Sequence, residues 1–337
     1  MIIDIHGHYT TAPAALEAFR KNQLAGERST LAELGDDELR QSVEDHQLRI
    51  LRERGGDVML LSPKASAMEH HVADPDIANA WARVCNDLVY RISTLYPQQF
   101  IPVAQLPQTP GGNLDGVIAE VRRAVEELGF VGVNLNPDPS GTWSGEPLTD
   151  ESWFVLYEVL EELDVPAMVH VSTACNPNFH TLGAHYLNAD TSVFMQLLPS
   201  SLFERFPGLR LVIPHGGGAV PYHWGRYRGL AMRNGWKDPA TLLSNVFFDT
   251  CVYHQPGIDL LLDVVPSENV LFASEMLGAV RGDDPATGVP WDDTLTYIRH
   301  ADLAPHHLQA VLSDNALRVY PRLAARLDGP GDPVRER

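Results

Sequence analysis

Cysteine is scarce in this sequence. Cys85, Cys175 and Cys251 are the three thiols in 337 residues, scattered and without a C-x-x-C pair. They make no even disulfide framework and suit a reducing, cytoplasmic setting, where small buried thiols are ordinary core residues. Long apolar runs are missing too: none approaches the roughly 20 residues of a membrane span. No signal peptide is read, because the first residues already supply strand and ligand candidates. Basic residues are outnumbered 44 to 25, for a net charge of −19, and nothing resembles a basic stripe. A nucleic-acid partner is therefore not expected, and an anionic substrate would need locally placed cations. No G-x-G-x-x-G follows the first apolar run, which weakens a dinucleotide-binding reading.

What is present is a repeated alternation. Short, β-rich apolar runs occur at 1–8, 57–63, 100–107, 131–137, 166–172, 210–218, 246–253 and 270–275. Amphipathic stretches lie between them, among them 36–55, 78–97, 151–163 and 256–266. Near-continuous apolar strands alternating with helices predict a parallel sheet covered by helices. Eight such units over most of the chain predict an α/β protein of the (β/α)8 TIM-type barrel class, a single domain over 1–325. The stretch from Tyr9 to about Asp36 is longer than an ordinary strand-to-helix connection, so a helical insertion after strand one is expected near the barrel mouth. The Gly/Pro-rich, charged segment 326–337 reads as a flexible C-terminal tail.

Polar residues gather where these strands end. His6 and His8 close the first run, Ser62 and Lys64 follow the second, and Asn134 and Asn136 the fourth. His170 and Ser172 end the fifth, His215 the sixth, Asp249, Tyr253 and His254 the seventh, and Ser274 and Glu275 the eighth. The C-terminal rim is where such barrels build their sites, and burying so many imidazoles and carboxylates for stability alone is costly. His6 and His8 share one face of their strand, because side chains alternate with period two. By the same count Asp4 faces the way His6 does. With His170 and Glu275 they form a normal ligand set for Zn²⁺. The competing readings are hydrogen-bonded core histidines and, for Glu275, a salt bridge to Arg281. His215, in VIPHGGGAVPYHWGR, stands where a general acid or base would act, with a structural histidine as the alternative. His180 and His185 are open between substrate contact and plain solvation. His70, His71, His306 and His307 read as surface or helix positions.

These residues carry a family likeness. MIIDIHGHYTTAP, GFVGVNLNPDPSG, VIPHGGGAVPYHWGR, FFDTCVYHQPGIDLL and VLFASEMLGAVRG resemble the amidohydrolase superfamily, in the branch that holds aminocarboxymuconate-semialdehyde decarboxylase and related non-hydrolytic enzymes. The resemblance runs from Met1 to about Leu323. One departure matters: the last-strand metal ligand of the wider superfamily is usually Asp, whereas Glu275 stands here, as in hydratases of this branch. Asn134 and Asn136, with no lysine at the end of strand four, speak against a binuclear centre on a carbamylated lysine.

The resemblance implies a zinc-dependent hydratase with one metal per chain, Mn²⁺ or Fe²⁺ being alternatives. It would add water to the double bond of a small anionic di- or tricarboxylate in aromatic-acid catabolism. His215 and Glu275 are the expected catalytic residues, and Lys64, Asn136, Tyr253, His254 and Arg281 the expected substrate contacts. A homo-oligomer is expected. The competing activity is non-oxidative decarboxylation of an aromatic or muconate-type acid, and a hydrolase opening a lactone or amide ring is a third, separate reading. A non-catalytic metal-binding barrel is the reading outside enzymes.

Overall fold

Alternating side chains explain the strands. In the computed structural model, which describes residues 1–27 and 30–327, the second strand β2 (Val58–Pro63) sends Val58 and Leu60 to one face and Met59 and Leu61 to the other. Both faces are buried, as near-continuous apolar runs require. The other strands are β1 (Ile3–Tyr9), β3 (Phe100–Gln105), β4 (Gly132–Leu135), β5 (Ala167–Val169), β6 (Leu211–Ile213), β7 (Val246–Asp249) and β8 (Val270–Leu271). They form one sheet in the order β1 to β8, each paired parallel to the next. Its two edges meet: Ile5 N–H donates to Phe272 O and Glu275 N–H to His6 O, both at 3.0 Å. This curled parallel sheet is consistent with the expected (β/α)8 barrel. β5, β6 and β8 are shorter than their apolar runs, and His170, His215 and Glu275 lie beyond the ladder.

Three helices lie between β1 and β2: α1 (Ala14–Leu24), α2 (Asp36–Glu44) and α3 (Gln47–Arg54). The amphipathic stretch 36–55 is thus two helices, broken at His46, whose φ of −132° and ψ of −106° are not helical. Next comes α4 (Pro75–Leu95), started by the Asp74 carboxylate, which accepts from Asp76 and Ile77 N–H. Pro75 at its first position loses no hydrogen bond there. Later helices are α5 (Asp115–Arg122), α6 (Phe154–Glu162), α7 (Tyr186–Leu197), α8 (Leu202–Arg205), α9 (Trp224–Asn234) and α10 (Gln255–Val264). The last are α11 (Thr294–His300), α12 (Pro305–Gln309), α13 (Asn315–Val319) and α14 (Pro321–Leu327). Residues 328–337, most of the tail read from the sequence, lie outside the described residues. No helix among the described residues is long and apolar enough to cross a membrane.

The core has two layers. Inside the barrel, Ile3, Ile5, Val58, Leu60, Ile101, Val103, Met168, Val212, Phe247 and Leu271 pack together, with Val319, Tyr320 and Leu323 of the C-terminal helices. Outside it, the alternate strand residues pack against the surrounding helices. Each fully buried aliphatic side chain contributes about 1.5–3 kcal/mol.

Strict alternation in β1 would put Ile3 and Ile5 inside and His6 and His8 outside. A register shift resolves the conflict: Ile3 and Asp4 pair with Val58 and Met59, but Gly7 and His8 pair with Leu61 and Ser62. Three steps on β1 match two on β2, so β1 carries one extra residue, a β-bulge. Both isoleucines and both histidines therefore face the lumen. Asp4, expected on the face of His6, instead points outward beside Leu51 and Leu295. Its carboxylate accepts from His6 N–H and Ser274 N–H, each at 3.1 Å, and from the Ser274 hydroxyl. It thereby ties the bulge of β1 to the segment that ends in Glu275.

At Gly7 the bulge packs close against β2, where a Cβ would lie 2.5 Å from Met59 Sδ and 3.0 Å from Leu60 O. Gly7→Ala is expected to lower Tm by several degrees, overpacking costing about 1–3 kcal/mol. Gly229→Ala, in open space on α9, should leave Tm unchanged or raise it. Thermal unfolding followed by circular dichroism checks both, and an unaltered Tm for Gly7→Ala would show that the bulge does not need glycine.

Candidate active site

Three imidazoles are aimed from behind. His6 Nδ1 donates to Asp249 Oδ2 at 2.7 Å. His170 Nδ1 donates to the Val171 carbonyl at 2.8 Å. His8 Nδ1 lies 2.8 Å from Ser62 Oγ, whose own proton has the Gly7 and Pro63 carbonyls as acceptors. Each ring therefore carries its proton on Nδ1 and turns a bare Nε2 to the lumen. Those Nε2 atoms converge: His6 to His8 is 3.0 Å, and His8 to His170 is 3.2 Å. Burial and the neighbouring histidines push His8 and His170 well below the ordinary imidazole pKa, so both rings are neutral. Lone pairs at such distances repel unless a cation lies among them. A proton on His6 would serve one contact and leave the other with two lone pairs face to face.

Glu275 completes the group. Ligand atoms of His6, His170, His215 and Glu275 all lie within 4.8 Å of one another, and all four residues are buried. The donor types and their tautomers fit a divalent cation, with His6, His8, His170 and Glu275 as the set expected from the sequence. His215 faces the same centre. Its Nδ1 donates to Asp190 Oδ2 at 2.9 Å, while its buried Nε2 has no partner. Burial opposes a charge on His215, but Asp190, Glu275 and Asp249 outweigh it and raise its pKa to about 9. Both His215 (φ 53°) and Glu275 (φ 48°) occupy the left-handed region that non-glycine residues rarely adopt. Side chains held in such strained backbone concentrate at functional sites.

The remaining sequence candidates divide. The Tyr253 hydroxyl donates to the Glu275 carboxylate. Burial and Glu275 push the Tyr253 phenol well above its ordinary pKa, so it stays a donor. Asn136 is buried and already committed: its Nδ2 donates to His70 Nδ1 at 2.8 Å, and its Oδ1 accepts from Asp138 N–H at 2.8 Å. Lys64 is exposed at the end of β2, and its ammonium is among the charges holding His8 neutral. His254 is exposed just before α10. Arg281 is exposed and donates to the Leu277 carbonyl at 2.6 Å, so no salt bridge to Glu275 competes for that carboxylate. His180 is exposed and its Nδ1 accepts from Gly183 N–H, whereas His185 is buried against Trp143.

Several site residues escaped the sequence reading. His70, expected on the surface, is buried, with Nε2 donating to Leu106 O at 2.9 Å, because the segment after β2 folds over the rim. Asp249 was visible as a strand-end acid but not as the orienter of His6. Its Oδ1 also accepts from Gly216 and Cys251 N–H, at 3.1 and 3.0 Å. Burial opposes its ionisation, but the His6 hydrogen bond and nearby imidazoles outweigh it and lower its pKa. Asp190 and Tyr186 come from the first turns of α7, where an acid on the buried face of an apolar helix was the available signal. The Tyr186 ring packs 5.1 Å from His170 and 5.5 Å from His215, centroid to centroid.

Comparison with known proteins follows the same lines. The amidohydrolase family model matches residues 3–322. The chain is 52% identical, over 340 residues, to a 2-keto-4-carboxy-3-hexenedioate hydratase of Sphingobium sp. (strain NBRC 103272 / SYK-6), covering 98% of this chain and 99% of that protein. The crystal structure of a 4-oxalomesaconate hydratase from Rhodopseudomonas palustris superposes with a TM-score of 0.91 at 51% identity, over 97% of this chain and 98% of the other. A gamma-resorcylate decarboxylase of Polaromonas sp. (strain JS666 / ATCC BAA-500) is more distant, 28% identical over 258 residues, 69% of this chain and 76% of that protein. The chain is therefore an enzyme that belongs to the amidohydrolase family, with hydratases among its near-full-length relatives and decarboxylases among its distant ones.

Proposed function

We propose that this protein is a metal-dependent hydratase that adds water to the double bond of 4-oxalomesaconate, giving 4-carboxy-4-hydroxy-2-oxoadipate in aromatic-acid catabolism. The reading rests on near-full-length similarity to hydratases combined with three bare Nε2 atoms converging beside Glu275. Zinc is the proposed metal because three imidazoles and a carboxylate suit it, with Mn²⁺ or Fe²⁺ as the other outcomes of elemental analysis. A divalent cation held by His6, His8, His170 and Glu275 would supply Lewis acidity, drawing the pKa of water down toward neutrality from about 16 in bulk.

The protein groups divide the proton work. Glu275 accepts a proton from the attacking water while the Tyr253 hydroxyl steadies its carboxylate. The water oxygen bonds to the alkene carbon β to the terminal carboxylate, the one that bears the oxo-containing arm, and the π electrons shift toward that carboxylate. His215, with Asp190 behind it, gives its Nε2 proton to the adjacent α carbon. Water is thus added whole, and the site resets when the Glu275 proton returns to His215 through solvent. Lys64 and Arg281 are the proposed carboxylate partners. Asn136 contributes through His70 and Ser172, which its side-chain amide holds.

Two measurements test this. Elemental analysis is expected to find close to one metal per chain, with His6→Ala and His170→Ala both losing it and still folding. Full retention in both variants would remove the assignment. His215→Asn is expected to keep its metal but lose activity by about 10²-fold or more. Activity is followed by loss of the substrate's conjugated ultraviolet absorption, and carbon dioxide release in the same assay would point to decarboxylation instead.

A further inference from the structure

Lysine is nearly absent from this chain: Lys21, Lys64 and Lys237 stand against 22 arginines. Lys237 pairs with Glu204 on the surface at 2.6 Å. The other two line one cavity of about 450 Å³, between α1, the ends of β1 and β2, and α4. Neither makes a salt bridge among the described residues. Arg20, in the same wall, is spent structurally. Its guanidinium pairs with Glu69 at 2.9 Å, donates to Gln23 and to the Met68 carbonyl, and lies 4.8 Å over the Trp81 ring. Glu69 is thereby neutralised, and Glu17, one turn before Lys21 on α1, is the remaining acid of the lining.

We infer that this cavity is a carboxylate subsite of the catalytic centre, in which Lys21 and Lys64 hold the end of the substrate remote from the reacting double bond. The inference rests on the hydratase reading for the identity of that substrate, an aliphatic tricarboxylate. Lys64 joins the two regions: it leaves β2 two residues after Ser62, the partner of His8, and it also lines the cavity. Thr10, two residues after His8, also lines the cavity. The apolar side chains of Leu16 and Trp81 weaken water's competition for a bound anion. In a protein of net charge −19 that repels anions at long range, two unpaired ammoniums in one concave wall mark where an anion is held. Lysine suits the task, being a point charge on a flexible stem that can meet a carboxylate in more than one orientation.

The test uses the metal-loaded full chain and tricarballylate, an unreactive aliphatic tricarboxylate, titrated calorimetrically. Lys21→Met and Lys64→Met are each expected to weaken tricarballylate about tenfold or more, the loss of one charge-assisted hydrogen bond. Lys21→Met should raise KM for 4-oxalomesaconate to the same degree with kcat within about twofold, Lys21→Arg should restore most of the affinity, and Lys237→Met should change nothing. Absence of turnover in wild type would remove the hydratase reading while the calorimetric arm still decides the subsite. Wild-type protein that ignores millimolar tricarballylate, or Lys21→Met that binds it as wild type does, overturns the inference.

Discussion

One extra residue in β1 governs this site. The bulge between Asp4 and Gly7 turns Ile3 and Ile5 into the barrel core and then turns His6 and His8 into the same lumen one layer higher. Without it the hydrophobic requirement at the bottom of the barrel and the polar requirement at the top would demand opposite faces of one strand. The bulge leaves the His6 N–H outside the β-ladder, and the Asp4 carboxylate takes it up together with Ser274 N–H. The same carboxylate therefore sets the backbone of His6 and of the segment carrying Glu275, which come from the first and last strands.

A second layer of carboxylates and carbonyls converts position into chemistry. Asp249, Ser62 and the Val171 carbonyl each accept a hydrogen bond from an Nδ1–H, which leaves the three Nε2 lone pairs facing the lumen. Asp190 does the same for His215, but there the surrounding acids favour a proton on the ring. Identical side chains thus differ: on one side Nε2 lone pairs face the lumen, and on the other the His215 ring favours its proton. The difference lies in the partners behind the rings.

Backbone strain marks the same places. His215 and Glu275 both hold left-handed φ, and three glycines follow His215 with φ of 63°, 79° and 60°. The glycines let the chain turn under β7, where a Cβ on Gly217 would meet the Phe248 ring at 2.5 Å. The turn leaves His215 Nε2 facing the cluster instead of the helical layer.

Much of this was legible in the sequence. Eight apolar runs separated by amphipathic stretches determined a parallel sheet covered by helices, because both sheet faces must be apolar when both are buried. The histidines and acids at the ends of those runs determined which rim carries the chemistry. Sequence could not show that β1 carries a bulge, since period-two counting fits His6 with His8 and misplaces Asp4. Nor could it show that 36–55 breaks at His46, or that His70 returns from its loop to clamp Asn136. It held all three lysines in view without revealing that two of them share one cavity. These features depend on contacts between residues tens to hundreds of positions apart, such as His6 with Asp249 and Asp4 with Ser274. Local periodicity reports which face of an element is apolar; only the closed barrel decides which side chains from different strands meet.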